Sequence, residues 1–252
     1  MALSDGYWGY DLIVWPEAAI TLFGIEAQRA LELIDQKALQ AKTSFISGIP
    51  TLDPVHGTNK NSLVALGQGK GIYSKQHLVP FGEYVPFESV LRGLIGFFDL
   101  PMSRMSAGNP GQDNLTLTIN GENFDVSPAI CYEIAYGESL RKRGIDSSAI
   151  ITVSNDTWFG PTSGPWQHLQ IARVRALENA KPVIRATNNG ITAVIDKNGI
   201  VVDELPQFTS DVLRSTVSLT QGRTPYSYLG DWPILCTIFL VFLYVWRSER
   251  TH

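Results

Sequence analysis

The stretch Asn123-Phe-Asp-Val-Ser-Pro-Ala-Ile-Cys-Tyr-Glu133 decides how this chain folds. Ahead of it, residues 115–119 alternate apolar and polar, and Asn120-Gly121 makes a tight turn, so residues 123–130 return as a strand that ends at Cys131. A cysteine just past the end of such a strand, entering a turn through Cys131-Tyr-Glu133, has the form of a nucleophile elbow. Such a turn exposes the sulfur and leaves the following backbone N–H groups free to bind an oxyanion.

Working outward, Asp11-Leu-Ile-Val-Trp15 reads as a buried strand that delivers Glu17 at its C-terminal end, and residues 25–42 carry apolar positions at the helical period. Residues 43–49 form a second buried strand, which Pro50 is expected to stop. Residues 61–65 and 71–73 pair as a hairpin around Gly67, Gly69 and Gly71, with Lys75 next. From Phe81 to Met105 and on to Gly111 the pattern is irregular and rich in Pro, Gly, Phe and Met, which reads either as a lid dipping into lipid or as a satellite core. A strand at 149–154, a helix from 165 to 180 and strands at 183–186, 192–195 and 200–202 complete an α/β layered pattern.

The chain has 252 residues, 44% of them hydrophobic and 17% charged, with a net charge of -4. One globular domain accounts for that, and the mild acidity excludes a general basic field for nucleic acid. Cys131 and Cys236 lie in unlike surroundings, so no disulfide is expected; Cys236, in an apolar run, reads as a small buried thiol. Residues 1–10 do not have the pattern of a signal peptide. The uncharged run Pro233-Ile-Leu-Cys-Thr-Ile-Phe-Leu-Val-Phe-Leu-Tyr-Val-Trp246, followed by Arg247 and Arg250, reads first as a short transmembrane helix with a cytoplasmic tail, and second as a buried or interfacial helix. This divides the chain at 225/226.

Glu17, Lys75 and Cys131 each sit just past the C-terminal end of an apolar strand, the edge at which layered α/β proteins build sites. The three types fit together chemically. A thiol needs a base to take its proton, here Glu17, and a cation to stabilise the negative charge that follows, here Lys75. Lys75 and the N–H of Tyr132 would both face the oxyanion. Taken singly, each of the three is an ordinary structural residue, and only their combination speaks for a site. A Cys–His pair using His77 is the competing constellation, without a matching orienting group. His56 and His168 offer no metal spacing, so no metal or cofactor is expected. Arg173, Arg175 and Glu178 read as a solvated or ion-paired helix face.

This order of Glu, Lys and Cys resembles the nitrilase, or carbon-nitrogen hydrolase, superfamily. Five motifs narrow the likeness: Asp11-Leu-Ile-Val-Trp-Pro-Glu-Ala-Ala19, Tyr73-Ser-Lys-Gln-His-Leu-Val-Pro-Phe-Gly-Glu-Tyr-Val-Pro86, Ile130-Cys-Tyr-Glu133, Ser154-Asn-Asp-Thr-Trp-Phe-Gly160 and Arg185-Ala-Thr-Asn-Asn-Gly-Ile-Thr-Ala193. Together they resemble the apolipoprotein N-acyltransferase family. The resemblance implies an αββα four-layer sandwich, a membrane location with the catalytic domain on the periplasmic side of a bacterial inner membrane, a phospholipid acyl donor and an apolipoprotein acceptor. It implies that Glu17 is the base, Lys75 the oxyanion stabiliser and Cys131 the nucleophile. Glu83 corresponds to a second glutamate that orients Lys75 or the base, Tyr132 and Glu133 flank the nucleophile, and Trp158 lies near the acyl pocket. The plainer alternatives are that Glu83 or Glu133 pairs with arginine or caps a turn, and that Trp158 is core. Members of the family carry membrane helices, a strand and a helix ahead of the Trp-Pro-Glu strand, and residues 1–10 do not supply them. Two other readings stand beside this one: an amidase of the same superfamily, and a membrane-anchored remnant without activity.

Overall fold

The structure is a computed structural model, and it describes residues 4–22, 24–53, 57–86 and 105–250. In chain order the elements are β1 (Leu12–Val14), α1 (Gly24–Ala41), β2 (Ser44–Asp53), β3 (Thr58–Gly67), β4 (Gly69–Lys70), β5 (Ile72–Ser74), β6 (Leu115–Ile119) and β7 (Glu122–Ile130). A 3-10 turn (Cys131–Ala135), α2 (Gly137–Gly144), β8 (Ala149–Asn155) and a second 3-10 turn (Asp156–Phe159) follow. The chain continues through α3 (Gly164–Asn179), β9 (Val183–Asn188), β10 (Thr192–Ile195), β11 (Val201–Leu205), α4 (Pro225–Leu229) and α5 (Trp232–Arg250).

The strands form two sheets, one ordered β1-β2-β3-β5 and the other β11-β10-β9-β8-β7-β6-β4. The hairpin expected around Gly67, Gly69 and Gly71 forms between β3 and β5, but its middle does more than turn. Gly69 and Lys70 leave the first sheet to pair with Leu117 and Thr116 of β6, tying the two sheets together.

Side-chain alternation along the buried strands builds the layers. In β8, Ala149, Ile151 and Val153 face the other sheet and meet Ile46, Leu63, Tyr73, Val126 and Ile130, whereas Ile150 faces the helices with Leu140, Leu169 and Ala172. On the first sheet's outer side, Phe45 and Ile49 pack against Ala27, Ile34 and Ala38 of α1. The order is therefore α1, sheet, sheet, then α2 and α3, the expected αββα sandwich. β8 is covered on both faces, so Thr152 and Ser154, which share the helix-facing side with Ile150, are buried along with its apolar residues.

Two expectations need correction, and a third is met only in part. Pro50 does not end β2, which runs on to Asp53 opposite Thr58. The opposing Asn61 turns its carbonyl towards Lys75, just past β5, so position 50 faces away from β3, past the end of β1, and no N–H is needed there. Cys236 is exposed rather than buried, because the apolar side chains of α5, among them Ile238, Phe239 and Phe242, stand in the open. The apolar run at 233–246 does fold as a helix, but among the described residues no helix is long and apolar enough to cross a membrane. Fourteen residues rise only about 21 Å, against a hydrocarbon core of about 30 Å. Residues 87–104, most of the expected lid or satellite core, lie outside the described residues, as does His56.

Ile151→Ala empties a position shared by the two sheets and is expected to lower unfolding free energy by about 2–5 kcal/mol in urea denaturation of the full chain. A loss below about 1 kcal/mol would mean that intersheet packing is not where the stability resides.

Candidate active site

The C-terminal ends of β1, β5, β7, β8 and β9 converge on one rim, and each delivers a polar residue to it. Glu17 arrives first, three residues beyond β1. Its turn lies hard against β2: a Cβ on Gly48 would fall 2.4 Å from the Ala18 nitrogen and 2.7 Å from the Glu17 Cα, so only glycine permits this approach. Gly48 N–H donates to the Pro16 carbonyl and Ile20 N–H to the Gly48 carbonyl, fixing the turn on both sides. From the other sheet, Asn155 N–H donates to Glu17 Oε2 at 2.6 Å and Asn188 Nδ2 donates to the Glu17 carbonyl at 2.7 Å.

Lys75 follows β5 and is 1% exposed. Its Nζ lies 2.9 and 2.8 Å from the two carboxylate oxygens of Glu83 and 3.9 Å from Glu17 Oε1. Asn61, in the middle of β3, donates through Nδ2 to Glu17 Oε1 at 2.6 Å and to Glu83 Oε1 at 3.4 Å, so it bridges the two carboxylates. Val79 N–H donates to Glu83 Oε2 at 2.8 Å. Glu83 thus pairs with Lys75, not with an arginine.

Cys131 closes the group. Its backbone has φ +54°, the left-handed region that an ordinary side chain avoids, as an elbow requires. Glu133, fully buried, braces the elbow from behind: its carboxylate accepts from Tyr73 Oη at 2.8 Å, Gln76 N–H at 2.7 Å, His77 N–H at 3.2 Å and Ile130 N–H at 2.9 Å. The Glu133 carboxylate therefore ties the Cys131 strand to the segment just after Lys75. The Tyr132 side chain is partly exposed and stands edge-on to Tyr136. Trp158 is 73% exposed, so it is neither core nor enclosed by a pocket. The His77 ring stacks on Tyr136, with centroids 4.0 Å apart.

Burial and neighbouring charge set the proton affinities. Burial pushes the Cys131 thiol up to about 12, and the Glu17 charge adds to that while Lys75 opposes it. Burial likewise raises Glu17, against the pull of Lys75 and of the Asn61 hydrogen bond. Burial lowers the pKa of Lys75, but Glu17, Cys131 and Glu83 outweigh it and hold it above the ordinary lysine range. An ammonium, a carboxylate of raised basicity and a thiol that does not ionise unaided are thus within electrostatic reach of one another.

A family model described as carbon-nitrogen hydrolase matches residues 2–224. The chain belongs to the carbon-nitrogen hydrolase family. Among curated proteins it is similar to the apolipoprotein N-acyltransferase of Vibrio vulnificus, 44% identical over 99% of this chain and 51% of that one. The corresponding protein of Pseudomonas paraeruginosa is 42% identical over 95% of this chain and 47% of its own length. The chain spans about half the length of the curated relatives it matches. Solved structures share the fold. A carbon-nitrogen hydrolase from Helicobacter pylori has a TM-score of 0.61 at 14% identity, covering 81% of this chain and 76% of that one. A mutant amidase from Nesterenkonia sp. AN1, whose active-site cysteine carries the acetamide moiety of fluoroacetamide, has a TM-score of 0.57 at 17% identity over 82% and 77%.

Sequence reasoning missed Asn61, Asp156, His168 and Arg185 as site residues. Two signals were present: Arg185 is a charged residue between Ile184 and Ala186 of a strand, and Asp156 follows a strand end as Glu17 does, whereas Asn61 is one polar residue among Thr58, Asn59, Lys60 and Ser62 and is not marked out. A cavity of about 950 Å³ beside β1 includes Pro16 and Ala19, either side of Glu17, but neither Lys75 nor Cys131. The charged contacts, not this hollow, locate the site.

Because the Glu17 charge helps hold the thiol up, Glu17→Gln should lower the midpoint of Cys131 ionisation from about 12. Thiolate absorbance followed against pH in a Cys236→Ser background reads this directly. A midpoint that stays or rises in the glutamine variant would contradict the placement of Glu17 beside the sulfur.

Proposed function

We propose that this chain carries the catalytic chemistry of an N-acyltransferase, moving an acyl chain from a phospholipid to the N-terminal amine of a diacylglyceryl-modified apolipoprotein. The observation that carries the reading is the ammonium of Lys75, held between Glu17 and Glu83 with the Cys131 thiol in electrostatic reach. The similarity to apolipoprotein N-acyltransferases along nearly the whole chain supports an apolipoprotein amine as the acceptor.

In the first half-reaction Glu17 takes the thiol proton and the sulfur attacks the ester carbonyl of the phospholipid. Charge develops on the carbonyl oxygen, where Lys75 and the Tyr132 N–H receive it; one such donor is worth about 3 kcal/mol. The C–O bond then breaks, the lysophospholipid alkoxide recovers the proton from Glu17, and a thioester remains on Cys131. In the second half the amine attacks the thioester, gives its proton to Glu17, and the thiolate leaves and is reprotonated. Glu83 orients Lys75, and Glu133 holds the elbow. Trp158 and Tyr132, exposed beside the rim, contact the acyl chain.

Residues 1–225 form the catalytic domain, and residues 226–252 seat it on the membrane. Ile238, Phe239, Leu240, Val241 and Phe242 of α5 are exposed, and Trp232, Tyr244 and Trp246 suit the two interfaces of a span short enough to thin the bilayer around it. Arg247 and Arg250 after the apolar run support a cytoplasmic C-terminal end, with the domain on the periplasmic face of a bacterial inner membrane.

Intact-mass measurement after incubation with diacyl phospholipid vesicles is expected to show one acyl adduct, released by hydroxylamine and absent in Cys131→Ala and Cys131→Ser. An adduct that persists in either variant would rule out the thioester. Phe239→Glu combined with Phe242→Glu should abolish co-flotation with the same vesicles; undiminished flotation would remove α5 from the membrane contact.

A further inference from the structure

Beneath the elbow lies a second buried polar cluster that the proposed acyl transfer does not use. Asp156 and Arg185 are each 1% exposed and His168 is 7% exposed. Arg185 Nη2 donates to Asp156 Oδ2 at 2.6 Å, and Ser154 Oγ donates to Asp156 Oδ1 at 2.9 Å. His168 Nδ1 lies 3.0 Å from Asp156 Oδ1 and 3.2 Å from Arg185 Nη2, while Nε2 lies 3.1 Å from the carbonyl oxygen of Cys131. A Cβ on Gly190 would sit 2.3 Å from Asp156 Oδ2, so that glycine is what makes room for the carboxylate.

Hydrogen-bond chemistry fixes the role of the imidazole. A carbonyl oxygen only accepts, so Nε2 must carry a proton. The remaining contacts allow this in either charge state: a neutral ring takes a hydrogen bond from Arg185 at Nδ1, and a charged ring gives one to Asp156. In both, Nε2–H points at Cys131.

That carbonyl belongs to the peptide whose other end is the Tyr132 N–H. The peptide is trans, and in a planar trans peptide C=O and N–H point in opposite directions. Anchoring the oxygen on His168 therefore aims the N–H away from the cluster and keeps the unit from rotating. Cys131 has little steric preference for its left-handed conformation, so without such an anchor the peptide can flip. A hydrogen bond to the carbonyl also polarises the N–H of the same amide, strengthening it as a donor.

We propose that His168, locked by Asp156 and Arg185, is a positioning residue that orients and polarises the Cys131–Tyr132 peptide as oxyanion donor. This rests on the reading of Cys131 as nucleophile, but not on the identity of the acyl donor.

The test compares two reactions of Cys131 in the full chain carrying Cys236→Ser. Acylation by p-nitrophenyl butyrate passes through an oxyanion; alkylation by iodoacetamide displaces iodide at a saturated carbon and does not. His168→Phe keeps the ring and removes the donor, whereas His168→Gln keeps an N–H near Nε2. His168→Phe should slow acylation about 10–100-fold, leave alkylation within about twofold, and be largely rescued by His168→Gln. Should the phenylalanine variant fail to fold by circular dichroism, the glutamine variant alone must retain acylation within about tenfold of the unsubstituted chain.

Equal loss in both reactions, unchanged acylation in His168→Phe, or a glutamine variant as slow as phenylalanine would overturn the proposal. A chain acylated by the ester but not by phospholipid vesicles would sink the acyltransferase reading while the His168 comparison still decides this one. A chain inert to the ester would overturn both.

Discussion

Lys75 is the constraint on which the rest depends. An ammonium 1% exposed cannot remain charged alone, and the two carboxylates that compensate it come from places far apart in sequence, Glu17 beyond β1 and Glu83 in the segment after β5. Opposite charges about 4 Å apart are worth about 4 kcal/mol at the effective dielectric typical of proteins, and the carboxylates together hold the lysine's pKa above its ordinary range. The fold must therefore deliver both glutamates at once. Gly48 lets the Glu17 turn settle against β2, and Asn61 bridges the two carboxylates from within β3.

That arrangement also suits the proposed chemistry. When the thiol gives its proton to Glu17, one negative charge moves from oxygen to sulfur and the total in the pocket is unchanged. The ammonium faces the charge before and after. A buried site avoids in this way the cost of creating new charge away from water, which is what pushes the lone thiol up to about 12. Two supports serve the elbow from opposite sides: Glu133 gathers N–H groups on one, and His168 meets the Cys131 carbonyl on the other.

Much of this was legible in the chain. The helix read at 25–42, which forms at 24–41, the Asn120-Gly121 turn and the strand running into Cys131 all follow from local periodicity and turn chemistry. The reading of Pro50 as a stop failed because whether a proline interrupts a strand depends on which neighbour its nitrogen faces. The thiol of Cys236 was read as buried because apolar neighbours in sequence say nothing about what covers them. Residues 137–144 gave no helix signal because seven of the eight residues are polar or glycine, and only Leu140 anchors the helix.

Sequence by itself determined the residue types at the strand ends, and so the presence of a carboxylate, an ammonium and a thiol at one edge of a layered α/β domain. Strand order, register and side-chain direction are set by long-range pairing, and these decided that Glu83 holds Lys75, that Glu133 braces the elbow and that Trp158 stands exposed. They also decided that His168 reaches a carbonyl 37 residues away. Periodicity reports which face of an element is buried; only the packed sheets determine what each buried polar atom meets there.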